Sequence, residues 1–198
     1  NCRFTNHSAD FVGGGAYTFN SAPVFTNCTF LNNHSTDSGG GAYINEGTHV
    51  ALSNCLFDGN DATNSGGGLY TRFPNVVIDA CIFNGNSANS GGGYNRSSGS
   101  LSLTNTTFSN NQTGSAGYGG GMFSSGNILS GGAINIANVV FVNNIAGYGG
   151  AMISSLFASA TIANCLFKNN GALIQGGAMY NQASANHTMS NCTFEGNA

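Results

Sequence analysis

The sequence has no tryptophan and almost no charge: Asp, Glu, Lys and Arg together make up 6% of 198 residues, with a formal net charge of −3. Four Lys and Arg residues cannot build a basic patch, so nucleic-acid binding lacks its electrostatic footprint. No apolar run approaches the roughly 18 residues that span a bilayer. Seven Asp and Glu residues leave little material for an acid–base pair or a calcium cage. No C-x-x-C occurs, which removes the usual zinc framework. No start Met and no leader peptide open the sequence. Asn1 and Ala198 both fall inside a recurring pattern, so a mature product or a piece of a longer protein is expected.

What the chain does have is glycine, 31 residues of it, ample Asn, Ser and Thr, and 40% hydrophobic residues, too many for a charge-rich disordered chain. These residues are arranged in a repeat. A pattern N-C-x-F recurs as NCRF, NCTF, NCLF, ACIF, NTTF, NVVF, NCLF and NCTF, and divides the chain into rungs 1–26, 27–53, 54–79, 80–104, 105–137, 138–163, 164–190 and a partial rung 191–198. No composition break interrupts them, so one repeat domain over 1–198 is expected.

Each rung carries the same columns. Phe4, Phe30, Phe57, Phe83, Phe108, Phe141, Phe167 and Phe194 form one. Two residues earlier stand Cys2, Cys28, Cys55, Cys81, Cys165 and Cys192, replaced by Thr106 and Val139 in two rungs. Three residues after Phe come Asn33, Asn60, Asn86, Asn111, Asn144, Asn170 and Asn197, with His7 in the first rung. A Gly-Gly-Gly or Gly-Gly-Ala follows, and an apolar residue such as Leu52 or Ile78 closes the rung.

The period is two. Val50 and Leu52 alternate with polar residues, as do Cys55 and Phe57, and a bend at Ser53-Asn54 lets both pairs face inward. A third short strand is read at GGGAY. Glycine triplets would cost a helix about 1 kcal/mol per residue, and antiparallel hairpins would reverse alternate columns. The pattern therefore predicts an all-β, single-stranded parallel β-helix of about seven rungs, right-handed by the crossover rule.

In such a coil the Phe and Cys columns are core, and the Asn column is a turn ladder, because Asn tolerates left-handed backbone and stacked amides bond rung to rung. The glycines supply backbone shapes or close approach; without G-x-x-x-x-G-K-[ST] they are no phosphate cradle. Vertical pairs Cys2–Cys28, Cys55–Cys81 and Cys165–Cys192 fall within disulfide distance, but in-register side chains point in parallel, so a free thiol ladder is expected. The histidines do not gather; His7 and His34 sit on adjacent turns. Sequons at Asn6, Asn27, Asn33, Asn95, Asn105, Asn111, Asn186 and Asn191 are no more than this composition produces by chance. The stretch Gly117 to Asn135 holds about seven extra residues, read as an outward loop of the kind that carries contacts.

The alternation of Phe-x-x-Asn (FLNN, FDGN, FNGN, FSNN, FVNN, FKNN, FEGN) with GGGAY, GGAIN, GGAMI and GGAMY resembles the repeat of the polymorphic outer membrane proteins, over essentially the whole chain. That resemblance implies a β-helical stalk or passenger at the cell surface that adheres to cells and, in some members, assembles into polymers. The expected function is accordingly a non-enzymatic extracellular stalk, filament or adhesin-type module. Its expected partners are copies of itself end to end, neighbouring repeats of a longer chain, or cell-surface glycans and receptors. No catalytic, metal or cofactor-binding residue and no membrane insertion is expected. The alternative is a carbohydrate-binding or polysaccharide-degrading β-helix, for which Asp58 with Asp61, or Asp10 with Asp37, supply the nearest carboxylates. An ice-binding face would need a Thr-x-Thr column, and none recurs.

Overall fold

Left-handed residues turn the chain several times in each rung, and two of them flank the Phe strand. The residue before the Cys column (Asn27, Asn54, Ala80, Asn105, Asn138, Asn164, Asn191) has φ between 50° and 56°. The residue two after Phe (Asn6, Asn32, Gly59, Gly85, Asn110, Asn143, Asn169, Gly196) has φ between 52° and 62°. Asn and Gly populate this region most readily, which is why Asn dominates the first position and Asn and Gly fill the second.

Between the bends the computed structural model, which describes residues 1–126, 131–156 and 158–198, is a parallel β-solenoid. A phenylalanine sheet of eight three-residue strands runs from Arg3–Thr5 to Thr193–Glu195. A second sheet of seven strands starts after each glycine triplet, from Ala16–Phe19 to Met179–Asn181. A third, aliphatic sheet of seven runs from Val24–Thr26 to Thr188–Ser190. Every pairing is parallel, and Phe30 lies on Phe57, Leu69 on Tyr94 and Ile78 on Leu103 without slip.

The sequence reading of three strands per rung is one short. A narrow fourth face follows the Asn column: Ser8–Ala9, His34–Ser35 and Asp61–Ala62 pair, single bridges continue through Ser87 and Gln112, and Ile145–Tyr148 pairs with Gly171–Gln175. Two-residue strands are too short to show a period, so the sequence did not announce them.

The interior is a stack of rings. The Phe column has neighbouring centroids 4.5–5.0 Å apart and planes within 10° of parallel. Aromatic planes touch at about 3.5–4 Å, so this spacing means slipped stacking, the offset arrangement that ring quadrupoles favour. Phe30 to Phe167 are fully buried along this column. The end rungs differ: Phe194 is 48% exposed, Phe4 and Cys192 are half-buried, and Cys2 is exposed, because no further turn covers them.

The longer fifth rung splits its extra residues. Eight positions separate Asn111 from Gly119, where five separate Asn86 from Gly91. A turn closed by Gly117 N–H on the Gly114 carbonyl (2.8 Å) absorbs these, ahead of the stretch read as the loop. The remainder falls between Ser125 and Gly131, and residues 127–130 lie outside the described residues.

Candidate functional site: interior ladders and a side groove

Three ladders run through the rod. The Asn column lies inside it, one residue past the left-handed bend rather than in it. Asn111 shows the pattern. Its Nδ2 donates to the Phe83 carbonyl and to Asn144 Oδ1, both at 2.9 Å. Its Oδ1 accepts from Asn86 N–H at 3.1 Å and Asn86 Nδ2 at 2.9 Å. Two donors and two lone pairs are all used, the full capacity of the amide. The same set recurs at Asn60, Asn86, Asn144 and Asn170, while Asn33 makes three of the four, its Oδ1 accepting from a backbone N–H alone. His7 enters the ladder through its N–H on Asn33 Oδ1, and Asn197 ends it on the Phe167 carbonyl.

The glycine triplet is three columns with three different demands. The first, such as Gly66, is left-handed in every rung. The second, such as Gly67, has no room: a Cβ there would lie 2.3 Å from the Ser87 carbonyl oxygen and 2.6 Å from that of Gly92, both backbone atoms of the next rung. The third accepts alanine, and does so at Ala151 and Ala178.

The six cysteines are free thiols. Cys55, Cys81 and Cys165 each donate to the carbonyl two residues before (3.2–3.4 Å), and Cys81 Sγ accepts from Cys55 N–H at 3.4 Å. Thr106 does the same with oxygen, donating to the Thr104 carbonyl at 2.8 Å and accepting from Cys81 N–H at 3.2 Å. A small side chain with one donor and one acceptor suits the column, which accounts for Thr standing in for Cys. The contact with Cys55 and burial push the Cys81 thiol up, and burial raises Cys165.

The carboxylates do not converge. Asp58 accepts from Asn84 Nδ2 at 2.8 Å, and Asp37 from Asn64 Nδ2 at 2.6 Å. Asp61 pairs with His34 Nδ1 at 2.9 Å and accepts from Ser87 Oγ. Lys168 is paired with Glu195 at 3.0 Å. Among the described residues no group of three or more His, Cys, Asp or Glu is placed to hold a metal ion, and no helix is long and apolar enough to cross a membrane. His187 is structural: Nδ1 accepts from Ala160 N–H and Nε2 meets Asn181 Oδ1, and burial lowers its pKa. Of the sequons, Asn33, Asn95 and Asn111 are buried, while Asn6, Asn27, Asn105, Asn186 and Asn191 are exposed.

The narrow fourth face carries two adjoining grooves. One, of about 450 Å³, is lined by Asp61, Ala62, Thr63, Ser87, Ala88, Asn89, Gln112, Thr113 and Gly114. The other, of about 490 Å³, shares Asn89 and Gly114 with it and is walled by the inserted turn and Tyr118. Tyr118 stacks on Tyr148 at 5.2 Å. The lining offers hydroxyls, amides and a single carboxylate, a surface made for hydrogen bonding. Sequence reasoning missed this face. It also missed Arg96, which is wholly interior, although extending the period of two from Tyr94 places it inward.

A family model described as right handed beta helix region matches residues 14–198. No curated protein and no solved structure matches the chain.

Proposed function

From the premise that the chain belongs to the right-handed β-helix region family, we propose that it is a non-enzymatic structural module outside the cell, a stalk or filament segment of adhesin type. The observation that carries this reading is the continuity of the interior. The ring stack from Phe4 to Phe194 and the amide ladder from Asn33 to Asn197 have no interruption, even across the longer fifth rung. Parallel ladders coupled in this way resist bending, because any bend must open amide pairs and ring contacts together. The terminal rungs present unpaired strand edges and half-covered rings that accept a further turn, whether of a longer chain or of a second copy. The adhesin part of the reading rests on the resemblance of the Phe-x-x-Asn and Gly-Gly-Ala motifs to the polymorphic outer membrane protein repeat. Antibodies against the folded rod are expected to label intact, unpermeabilised cells of the source, or its medium. Signal confined to permeabilised cells overturns the assignment.

A second reading is favoured by the groove beside Tyr118. Hydroxyls, amides and a flat aromatic pair are the groups that bind a neutral polysaccharide. On this reading Gln112→Ala and Tyr118→Ala each weaken oligosaccharide binding about tenfold, the loss of one buried hydrogen bond or stacking contact. Calorimetry with neutral oligosaccharides that detects no binding to the unaltered rod removes it.

A further inference from the structure

The phenylalanine sheet also has an outer side. Each of its strands is three residues long with the ring in the middle, so the residues before and after the ring point away from the core. They line up in two columns, because each strand pairs with the next without slip. The first column holds Leu56, Ile82, Val140 and Leu166, and the second holds Leu31 and Val142. Ile82 is 46% exposed, and the other five are half-buried. Parallel sheets are as a rule covered on both faces, and this one carries aliphatic side chains on its open face. Contiguous apolar surface of this kind marks an interaction site.

Four charged side chains sit on this face among the described residues: Arg3, Asp58, Lys168 and Glu195. Their order decides what can cover it. Asp58 lies on the third strand of the sheet and Lys168 on the seventh, both in the second column and equally far from the fifth strand, Thr107–Ser109. A two-fold axis along the fifth strand therefore lays each column on itself with the rungs reversed, a self-complementary contact. Asp58 then meets Lys168 of a second copy, and does so twice. Arg3 comes within one rung of the other copy's Glu195. The aliphatic residues match as well: Leu56 meets Leu166, and Ile82 meets Val140. Two rods running the same way would instead place both Asp58 carboxylates on one rung and both Lys168 ammoniums on another, which repels.

We propose that the outer face of the phenylalanine sheet pairs with the same face of a second copy, the two rods antiparallel. This lateral contact is separate from end-to-end stacking, which uses the terminal rungs only. Eight strands about 4.8 Å apart and three residues wide give a face of roughly 35 by 10 Å. The two faces together bury about 700 Å², below the roughly 1,200–2,000 Å² of a stable complex, so pairing is weak and needs high concentration.

The test is sedimentation equilibrium of the intact chain at low ionic strength, from micromolar to millimolar concentration. The unaltered chain is expected to pass from monomer to dimer. Asp58→Lys and Lys168→Glu are each expected to weaken dimerisation about tenfold or more, since each sets like charges together at both symmetry-related contacts. Mixed in equal amounts, the two variants are expected to regain the dimer, because each presents the charge opposite to the one it faces on the other. Ile82→Lys, beside the axis, is expected to hold the chain monomeric with its urea midpoint little changed, and it serves if either charge variant fails to fold. A chain that stays monomeric at millimolar concentration overturns the proposal, as does a mixture that dimerises no better than its components. Association that ignores all three substitutions is end-to-end stacking, and overturns it too.

Discussion

Gly67→Ala is expected to destabilise the rod by about 4 kcal/mol or more, or to leave no folded protein at all. The added Cβ would sit 2.3 Å from the Ser87 carbonyl oxygen and 2.6 Å from that of Gly92. Neither obstacle is a flexible side chain tip. Both are backbone, and both belong to the rung above, so relief requires the rungs to part. Parting them here stretches the Phe57–Phe83 stack and the Asn60–Asn86 amide bond, because all are fixed to the same backbone. Overpacking a side-chain core usually costs about 1–3 kcal/mol; overpacking against fixed carbonyls exceeds that. The control lies one column on, in another rung. Gly121→Ala meets one backbone oxygen of the next rung rather than two, that of Ala151 at 2.7 Å, in a column that already holds alanine at Ala151 and Ala178, and is expected to cost less, about 1–3 kcal/mol. Denaturant unfolding of the two variants gives the comparison, and equal losses would show that the three glycine columns are not distinct.

Only part of that distinction was legible in the sequence, where Gly-Gly-Ala beside Gly-Gly-Gly shows that the third column tolerates alanine. In the first column the obstacle to a Cβ is the carbonyl three residues on, as Leu69 is to Gly66, whereas in the second and third columns it lies in another rung, out of reach of any local pattern. What the sequence did show was every feature that recurs with the same chemistry at the same offset: the Phe stack, the small Cys/Thr column, the Asn ladder and the parallel register. Periodicity exposes what each turn repeats and hides what occurs once. Arg96 occurs once. Its column reads Ile44, Thr71, Arg96, Ser124, Ser154, with no shared chemistry to mark it as inward. The fourth face escaped for a related reason, since His34, Asp61, Ser87, Gln112 and Ile145 align in space yet share neither polarity nor size.

Asn111→Leu, at the centre of the ladder, is expected to cost about 4 kcal/mol. The substitution keeps the volume and removes only polar atoms, so packing contributes little. Four hydrogen bonds go. Asn86 loses the acceptor for its N–H and for one Nδ2 hydrogen, while the Phe83 carbonyl and Asn144 Oδ1 each lose a donor. Stranded buried polar groups cost about 1–3 kcal/mol apiece, less where a second partner remains. Asn111→Asp separates this account from a simple packing defect. An aspartate still accepts from Asn86 but turns a second acceptor toward Asn144 Oδ1 and the Phe83 carbonyl. Ionised, it is both buried and repelled; protonated, it donates one of the lost bonds. Its folded pKa is therefore raised above the unfolded carboxyl value of about 3.9. Stability is then highest below that unfolded value and is lost as the pH rises through the folded pKa. The aspartate variant should fall below the leucine variant at neutral pH and recover relative to it near pH 3, measured by urea unfolding across that range. Parallel pH profiles for the two would mean that the amide acts as a spacer, and the ladder would lose its claim to hold the rungs in register.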